Sequence, residues 1–322
     1  MKKNVSIVLC SYNGEKFLKE QLDSIVSQTY PIYELIIQDD CSTDDSMRII
    51  YEYKQHYSFI HIYQNDVRLG YTANFLSAIN KATGDYIAIS DQDDIWELDK
   101  IEKQIQSINN SWLSFCPSVP FSDTANVNID TRVPNFGVER IMYTTTILGH
   151  KMLFKKELID YIPNIDKYSK VFAYDFLIGM TAAVYNKVVY CPETKVNYRR
   201  HEEAASYVPS YNYEKSFRNI LKSALRTFRF YIKLRPLIKK RMHNVYDFLS
   251  EFQNTPKIND ALKLAKFHKG TSFLDSINTI RYCIKLRDKI FYTVEDNKIL
   301  AILRAIYFPI SCSDYYRRAF KK

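Results

Sequence analysis

Glycine is scarce in this chain: only seven of the 322 residues are glycine, whereas 15% are aromatic. Such a composition excludes collagen-like, linker-rich and disordered architectures. Long apolar runs are also missing, and the best one, Ile299 to Ile310, is interrupted by Arg304. No segment therefore predicts a transmembrane helix, and the apolar stretch near the start is too short for a signal peptide. We expect a cytoplasmic chain with one large or two modest domains.

Two common nucleotide-binding signatures and any paired-cysteine motif are absent. There is no GxGxxG after the first predicted strand and no GxxxxGK[ST] anywhere, so neither a nicotinamide-type Rossmann site nor a P-loop is supported. The six cysteines are scattered without a CxxC pair, which indicates a reduced chain. Carboxylates and backbone groups at strand ends can still hold a nucleotide.

The net charge of +9 conceals a division. Residues 1–214 carry 21 Lys and Arg against 28 Asp and Glu, a net charge of −7. Residues 215–322 carry 24 against eight, a net charge of +16. An acidic front and a basic back indicate a catalytic part joined to a part that meets an anionic surface.

Strand and helix patterns alternate over the first hundred residues. The predicted strands are Val5–Cys10, Glu34–Gln38, Phe59–Tyr63 and Tyr86–Ser90, and helical spacing follows over Gly14 to Gln28, after Ser42-Thr43-Asp44-Asp45, and over Leu69 to Ala82. This alternation predicts an α/β fold with right-handed βαβ units, a mostly parallel sheet and helices on both faces. Ligands bind at the carboxyl ends of such strands, where the polar clusters of this chain lie.

Three carboxylates, Asp91, Asp93 and Asp94, follow the buried strand Tyr86–Ser90 within four positions. They would repel one another unless a cation neutralised them. Oxygen-rich sites suit Mg²⁺ or Mn²⁺, held by one or two carboxylates together with substrate phosphates. A solvated acidic turn is the alternative for an isolated Asp-x-Asp.

A second acidic pair, Asp39 and Asp40, ends the second predicted strand. A carboxylate there can accept hydrogen bonds from a ribose hydroxyl or a base N–H. Helix capping together with Ser42 explains the pair equally well.

Three segments in register resemble family 2 glycosyltransferases of GT-A fold. They are Val5-Ser6-Ile7-Val8-Leu9-Cys10-Ser11-Tyr12-Asn13, Leu35-Ile36-Ile37-Gln38-Asp39-Asp40-Cys41-Ser42-Thr43-Asp44 and Gly84-Asp85-Tyr86-Ile87-Ala88-Ile89-Ser90-Asp91-Gln92-Asp93-Asp94-Ile95-Trp96. The Asp-Gln-Asp-Asp-x-Trp form is most similar to the bacterial rhamnosyltransferase-like branch. The family often has Val and Gly where this chain has Gln38 and Cys41, a departure from which we expect little consequence.

The resemblance implies roles for the strand-end residues. Asp39 would contact the donor's nucleoside with Asp40 beside it, and the backbone of Ser11, Tyr12 and Asn13 would line the base pocket. Asp91 would lie near the ribose or sugar, and Asp93 would bind a metal, Mn²⁺ or Mg²⁺, that bridges the diphosphate. Asp94 is expected only to cap the next segment.

Further roles are implied beyond the acidic cluster. The position of Asp175 matches that of the family's catalytic base. It is a lone carboxylate in an apolar and aromatic setting, and such surroundings raise the pKa of a carboxylate and make it a stronger base. Its alternative role is a helix N-cap. Tyr198-Arg199-Arg200-His201 resembles a Tyr-Arg-x-His segment in which His201 completes the metal shell and Arg199 or Arg200 meets the diphosphate. His150 is a weaker candidate on the acceptor side. Trp96 is either a wall for the sugar or a core residue.

The basic back shows helical periods from position 211 on. Cations recur every three or four positions between 218 and 233, with apolar residues on the other face. Residues 215–241 are thus predicted to lie on an anionic membrane, although a helix packed on the catalytic part fits as well. No nucleic acid is expected, because no nucleic-acid motif is present.

The leading hypothesis is an inverting, metal-dependent glycosyltransferase of O-antigen or capsule biosynthesis. It would move a sugar, with L-rhamnose the first guess, from a nucleoside-diphosphate donor to a lipid-linked oligosaccharide or glycan, at the inner face of the plasma membrane. Residues 1–110 would form the nucleotide-sugar-binding half, 111–210 the acceptor-binding half, and 211–322 a basic helical region. The alternatives are a sugar nucleotidyltransferase and a non-catalytic nucleotide-binding module with a basic membrane- or nucleic-acid-binding tail.

Overall fold

The computed structural model describes residues 3–122, 132–201, 217–252 and 258–320, with the backbone alone described for 217–224 and 317–320. The described residues divide into two compact units. The first comprises residues 3–122, 147–182 and 186–201, and the second comprises 132–146, 183–185, 217–252 and 258–320. Residues 132–146, predicted to belong to the acceptor-binding half, thus group with the C-terminal helices.

The first unit begins with the predicted alternation of strands and helices. Its elements are β1 (Val5–Ser11), α1 (Leu18–Val26), β2 (Glu34–Asp39), α2 (Ser46–His56), β3 (Ile60–Gln64), α3 (Tyr71–Lys81) and β4 (Tyr86–Ser90). Helix α1 begins four residues later than predicted because the amides of Phe17 and Leu18 both donate to the Gly14 carbonyl, which forms a turn there.

The rest of the first unit is built from shorter elements. They are β5 (Ile95–Trp96), α4 (Lys100–Ile108), β6 (Leu113–Phe115), β7 (Ser118–Phe121), β8 (Met152–Lys155), α6 (Ile165–Tyr168), α7 (Tyr174–Val184), β9 (Val188–Tyr190) and β10 (Val196–Arg199), with 3₁₀ turns at Gly149–Lys151 and Lys156–Tyr161. Helix α5 (Val138–Ile141) belongs to the second unit. The last residues of α7 are grouped with the second unit as well.

A seven-stranded sheet organises the first unit, in the order β3-β2-β1-β4-β8-β6-β9. Strands β3, β2, β1 and β4 run parallel, and β8 lies antiparallel between β4 and β6. A second sheet has the order β5-β10-β7. The predicted mostly parallel α/β architecture is confirmed.

The central parallel strands β1, β2 and β4 form because their side chains are mostly apolar on both faces. Every residue of β1, β2 and β4 is buried. Leu18, Leu22 and Ile25 of α1 join Ile7 and Leu9 of β1 in one core cluster. The sheet therefore holds its strand ends, and the polar residues after them, in fixed positions.

The second unit is helical, as predicted for the C-terminal region. From residue 217 on, its helices are α8 (Phe217–Ser250), α9 (Asn259–Lys269), α10 (Phe273–Lys285), α11 (Arg287–Ile290) and α12 (Lys298–Ser311), followed by a 3₁₀ segment at Cys312–Phe320. Helix α8 packs on α9, and α10 packs on both α9 and α12. Of the helices described, none has the length and apolar character that crossing a bilayer requires. Residues 215 and 216 of the predicted membrane-binding segment lie outside the described residues.

Candidate active site

The polar clusters predicted from the sequence meet at one edge of the large sheet. Ser11 ends β1, Asp39 ends β2, and Asp91 follows β4 directly. Because these strands are adjacent and parallel, their carboxyl ends lie side by side. This is the position where open α/β sheets bind ligands.

Gln92 ties the loop after β4 to the loop after β1. Its Oε1 accepts a hydrogen bond from the Tyr12 amide at 2.7 Å, and its Nε2 donates to the Tyr12 carbonyl at 3.1 Å. A Cβ added to Gly14 would lie 2.5 Å from Gln92 Oε1, so a larger residue at position 14 would displace this amide. Sequence reasoning assigned no role to Gln92.

The carboxylate of Asp39 is fully buried and holds two loops together. It accepts hydrogen bonds from the Ser11 hydroxyl at 2.8 Å, the Ser42 amide at 2.9 Å and Gln64 Nε2 at 3.1 Å. The Asn13 side chain continues this link by accepting from the Thr43 amide at 2.8 Å. The nucleoside contact predicted for Asp39 stays a prediction, while its structural role is evident.

Asp40 fixes the loop that leads into α3. Its carboxylate accepts from the amides of Leu69 and Gly70 at 2.7 and 2.8 Å, and from Asn65 Nδ2 at 2.8 Å. Leu69 and Gly70 precede the first helical residue of α3, Tyr71, so Asp40 orders the approach to this helix and does not cap it. Its donor-binding role stays a prediction.

Cys41 has a left-handed backbone, with φ at +64°. This region favours glycine because a Cβ crowds the following carbonyl there. The expectation that replacing the family's glycine has little consequence overlooked this cost. The thiol offsets part of the cost by donating to the Asn65 carbonyl at 3.0 Å.

The ring of Tyr12 also contacts a cationic side chain. The Arg68 guanidinium lies 3.8 Å from the ring centroid, a cation–π distance. Arg68 is exposed and precedes α3, and no motif pointed to it. The pair places a positive charge beside the loop that was predicted to line the base pocket.

The predicted metal ligands Asp93 and His201 lie together. His201 Nε2 is 2.9 Å from Asp93 Oδ2, and both side chains keep partial exposure, 19% and 16%. Burial and the nearby Asp91 raise the pKa of Asp93, and His201 opposes the rise. His201 Nδ1 finds no hydrogen-bond partner among the described residues, and the ring packs 4.7 Å from that of Phe17.

A second, more buried group lies beside this pair. His150 Nδ1 is 3.3 Å from Asp91 Oδ2 and 3.7 Å from Asp94 Oδ2, and the three residues offer ligand atoms within 4.8 Å of one another. Burial lowers the pKa of His150 and, together with Asp91 and Asp93, raises the pKa of Asp94 well above its usual value. The Asp94 side chain accepts from the Arg199 amide at 3.1 Å, so it anchors β10 instead of capping the next segment.

Arg199 is buried, with its guanidinium engaged by its own unit. It lies 2.6 Å from the Glu20 carboxylate and donates to the Asp93 carbonyl at 3.1 Å. The rings of Phe17 and Phe121 lie 4.7 and 4.6 Å away. This arrangement supports the Asp93 backbone, and the diphosphate contact predicted for Arg199 stays a prediction.

Asp175 lies in the first turn of α7 and is partly exposed. Its carboxylate accepts from the Phe176 amide at 2.7 Å, so a role at the helix terminus coexists with the predicted role as base. The preceding Tyr174 is buried, stacks on Phe75 at 4.4 Å, and has its pKa raised by burial and then by Asp91 and Asp175. A Cβ on Gly149 would lie 1.9 Å from the Tyr174 hydroxyl, so this close contact requires glycine.

Trp96 belongs to the core. Its side chain is 2% exposed, and the Lys100 ammonium lies 3.9 Å from the ring centroid. Of the two alternatives considered for Trp96, this geometry supports core packing, because a buried ring offers no face to a sugar.

Comparison with known proteins assigns the family. The family model for glycosyl transferase family 2 matches residues 6–164, which include β1 to β4 and the acidic cluster. The chain contains a glycosyl transferase family 2 domain. The rhamnosyltransferase-like branch is not specifically confirmed by these comparisons.

Two individual relatives each match about a third of the chain. The chain is 35% identical over 102 residues to TuaG of Bacillus subtilis, described as a putative teichuronic acid biosynthesis glycosyltransferase; the match covers 32% of this chain and 40% of TuaG. It is 34% identical over 111 residues to WfgD of Escherichia coli, described as a UDP-Glc:alpha-D-GlcNAc-diphosphoundecaprenol beta-1,3-glucosyltransferase, over 34% of this chain and 43% of WfgD. The chain thus spans less than half the length of each.

The fold is shared with solved structures of low sequence identity. The mannosyltransferase PcManGT from Pyrobaculum calidifontis, solved with GDP-Man and Mn²⁺, aligns with a TM-score of 0.54 at 14% identity, over 100% of this chain and 88% of that one. Its likeness confirms the GT-A-like fold.

Proposed function

We propose that this chain transfers a sugar from a nucleoside-diphosphate donor to an acceptor hydroxyl. The observation that carries the proposal is the convergence of Asp39, Tyr12, Asp91 and the Asp93–His201 pair at one sheet edge, within a family 2 domain. In this proposal the strand-end loops hold the nucleoside, and Asp91 lies near the donor sugar. Asp175 takes the proton of the acceptor hydroxyl in a single displacement that inverts the anomeric centre.

A divalent metal fits the residues at this edge. A metal would neutralise charge on the leaving diphosphate. It must therefore contact the donor as well as the protein, and Mg²⁺ and Mn²⁺ keep several ligands that are not protein groups. Asp93 and His201 are partly exposed, whereas the Asp94 side chain is 0% and that of His150 4% exposed. We therefore assign the ion to Asp93 and His201. In this proposal the buried Asp94 and His150 hold Asp91 in place.

The donor and acceptor classes rest on the relatives. PcManGT was solved with GDP-Man, and the name of WfgD gives a UDP-Glc donor and a lipid-diphosphate acceptor. TuaG is named for teichuronic acid biosynthesis. By analogy, the acceptor proposed here is a lipid-linked oligosaccharide in surface-polysaccharide assembly, with dTDP-L-rhamnose one of the donors to be screened.

Helix α8 supports a peripheral position at the inner membrane face. Its described side chains expose Leu225, Phe228 and Ile232 beside the exposed cations Arg229 and Lys233. The combination is typical of an interfacial helix.

The proposal is tested by screening nucleotide sugars for a thermal shift with Mn²⁺, since a ligand of the folded state raises its apparent stability. The donor found is then incubated with acceptor, and free nucleoside diphosphate is measured. Its release together with a glycosylated product supports sugar transfer. Release of a nucleoside triphosphate on adding pyrophosphate would instead show a nucleotidyltransferase, and binding without turnover of any acceptor would show a non-catalytic module.

A further inference from the structure

Helix α12 exposes a continuous apolar stripe. Ile299, Ile302, Leu303 and Ile306 recur at intervals of three and four residues, so they share one face of the helix. Their exposed fractions are 73, 39, 57 and 44%. Four large aliphatic side chains side by side in solvent differ from the single exposed apolar residues of most protein surfaces.

The opposite face of α12 accounts for its packing. Ala301, Ala305 and Phe308 are buried, and the helix contacts α10 and α8 of its own unit. The helix thus needs only one of its two apolar faces to hold the second unit together. Helix α10, which packs on α12, also exposes Phe273 and Leu274 in its first turn.

The charge around the exposed stripe of α12 favours an anionic partner. Helix α12 contains no acidic residue, and its two cations, Lys298 and Arg304, are exposed, although Arg304 also pairs with Glu295 before the helix. Residues 215–322 carry a net charge of +16. A second copy of the chain would bring the same positive charge to the contact, whereas an anionic bilayer offers both apolar depth and the opposite charge.

The length of α12 decides how it meets a bilayer. Its 14 residues extend about 21 Å, less than the ~30 Å hydrocarbon core. A helix of this length with one apolar face and exposed cations lies in the plane of the interface, with long cationic side chains reaching the headgroups. We propose that α12 inserts the stripe Ile299, Ile302, Leu303 and Ile306 into the interfacial region of an anionic lipid bilayer.

This assignment extends the membrane role predicted for residues 215–241 to a separate helix. It does not depend on sugar transfer, because lipid binding is measured without donor or acceptor. Failure of one proposal therefore leaves the other open to its own test.

The test is flotation of the full chain with vesicles of phosphatidylglycerol and phosphatidylcholine, and with vesicles of phosphatidylcholine alone. The wild-type chain is expected to float with the anionic vesicles. The triple variant Ile299→Ser, Leu303→Ser, Ile306→Ser is expected to bind them at least about 10-fold more weakly, since three apolar side chains lose their burial in lipid. The matched control is Val133→Ser, Leu98→Ser, Val294→Ser, which removes three exposed apolar side chains elsewhere and should bind like the wild type.

A single variant keeps the test decisive if the triple variant is unstable. Leu303→Trp places an indole at the stripe, and its emission should shift to the blue and be quenched by brominated lipid only with anionic vesicles. The proposal is overturned if the wild-type chain fails to float, if the triple variant floats equally well, or if Leu303→Trp is not quenched. Loss of a concentration-dependent dimer in the triple variant, without any lipid binding by the wild type, would assign the stripe to a second copy of the chain.

Discussion

The side-chain amide of Gln92 forms hydrogen bonds to both the N–H and the C=O of Tyr12, residues that are 80 positions apart. One amide plane thus joins the loop of the acidic cluster to the loop proposed to line the base pocket. This contact fixes the distance between the loop proposed to bind the nucleoside and the loop proposed to bind the diphosphate. The middle residue of the Asp-Gln-Asp motif therefore positions the two halves of the proposed donor site.

Replacing Gln92 by Leu is expected to raise the donor KM about 10-fold while kcat changes less than about 3-fold. The change removes two hydrogen bonds, each worth about 0.5–1.5 kcal/mol, that orient the donor loops without touching the reacting atoms. Steady-state kinetics with the donor varied measures both constants. Gln106→Leu, at an exposed position in α4, is the control and should leave both unchanged. An unchanged donor KM in Gln92→Leu would refute the positioning role.

Replacing Cys41 by Gly is expected to stabilise the chain by about 0.5–1 kcal/mol. Glycine relieves the left-handed strain at φ +64°, an effect reduced by its greater freedom in the unfolded chain. Cys41→Ala keeps the strain and removes only the thiol, so it serves as the matched comparison. Urea unfolding of both variants measures the difference, and a Gly variant no more stable than the Ala variant would show that this backbone is not strained.

The parallel half of the fold was predictable because its signals are local. Strands β1 to β4 are short apolar runs separated by helical periods, and each was predicted to within one residue at either end. Strand β8 has no such signal, since Met152–Lys155 becomes a strand only by pairing antiparallel between β4 and β6. Its place in the sheet depends on partners far away in the sequence.

The site shows the same limit. Asp91, Asp93 and His201 were singled out by motif, whereas the buried position of Asp94 depends on an amide in β10 and on His150, 56 positions away. Arg199 or Arg200 was expected to meet the diphosphate because the segment Tyr198 to His201 resembles the family's Tyr-Arg-x-His segment. The contact of Arg199 with Glu20 and two aromatic rings could be seen only after folding.

Metal-dependent binding distinguishes the roles of Asp93 and Asp94. Asp93→Asn is expected to weaken Mn²⁺-dependent binding of the nucleoside diphosphate at least about 10-fold, because it removes a charged ligand. Asp94→Asn should change this binding less than about 3-fold, since its amide oxygen can still accept from the Arg199 amide. Calorimetric titration of the diphosphate with and without Mn²⁺ measures both. The reverse order of effects would place the ion among Asp91, Asp94 and His150.

Buried His268 should make the second unit sensitive to acid. Burial, together with Lys239, lowers the pKa of His268 from 6.5 to about 3, and its Nδ1 lies 2.9 Å from the Tyr143 hydroxyl. The unfolded chain binds a proton below about pH 6.5 and the folded chain does not, so the free energy of unfolding falls as the pH drops through this range, by about 1.4 kcal/mol per unit.

The full chain is unfolded in urea at about pH 7 and about pH 5, and the loss of helix is monitored by far-UV circular dichroism. His268→Gln should lose about 2 kcal/mol less than the wild type between these values, since glutamine does not titrate. The exposed His243→Gln is the control and should behave like the wild type. If the free energy of unfolding depends on pH equally in the wild type and in His268→Gln, protonation of His268 does not contribute to the acid sensitivity.

The most direct measurement of the central claim is the rate of sugar transfer by Asp175→Asn, compared with the exposed control Asp166→Asn. Asparagine keeps the hydrogen bond that Asp175 accepts from the Phe176 amide, so the fold and donor binding should persist. If Asp175 takes the proton of the acceptor hydroxyl, the transfer rate falls by about 10²–10⁴ while the donor affinity stays within about 3-fold. Undiminished transfer by Asp175→Asn would contradict the proposed mechanism.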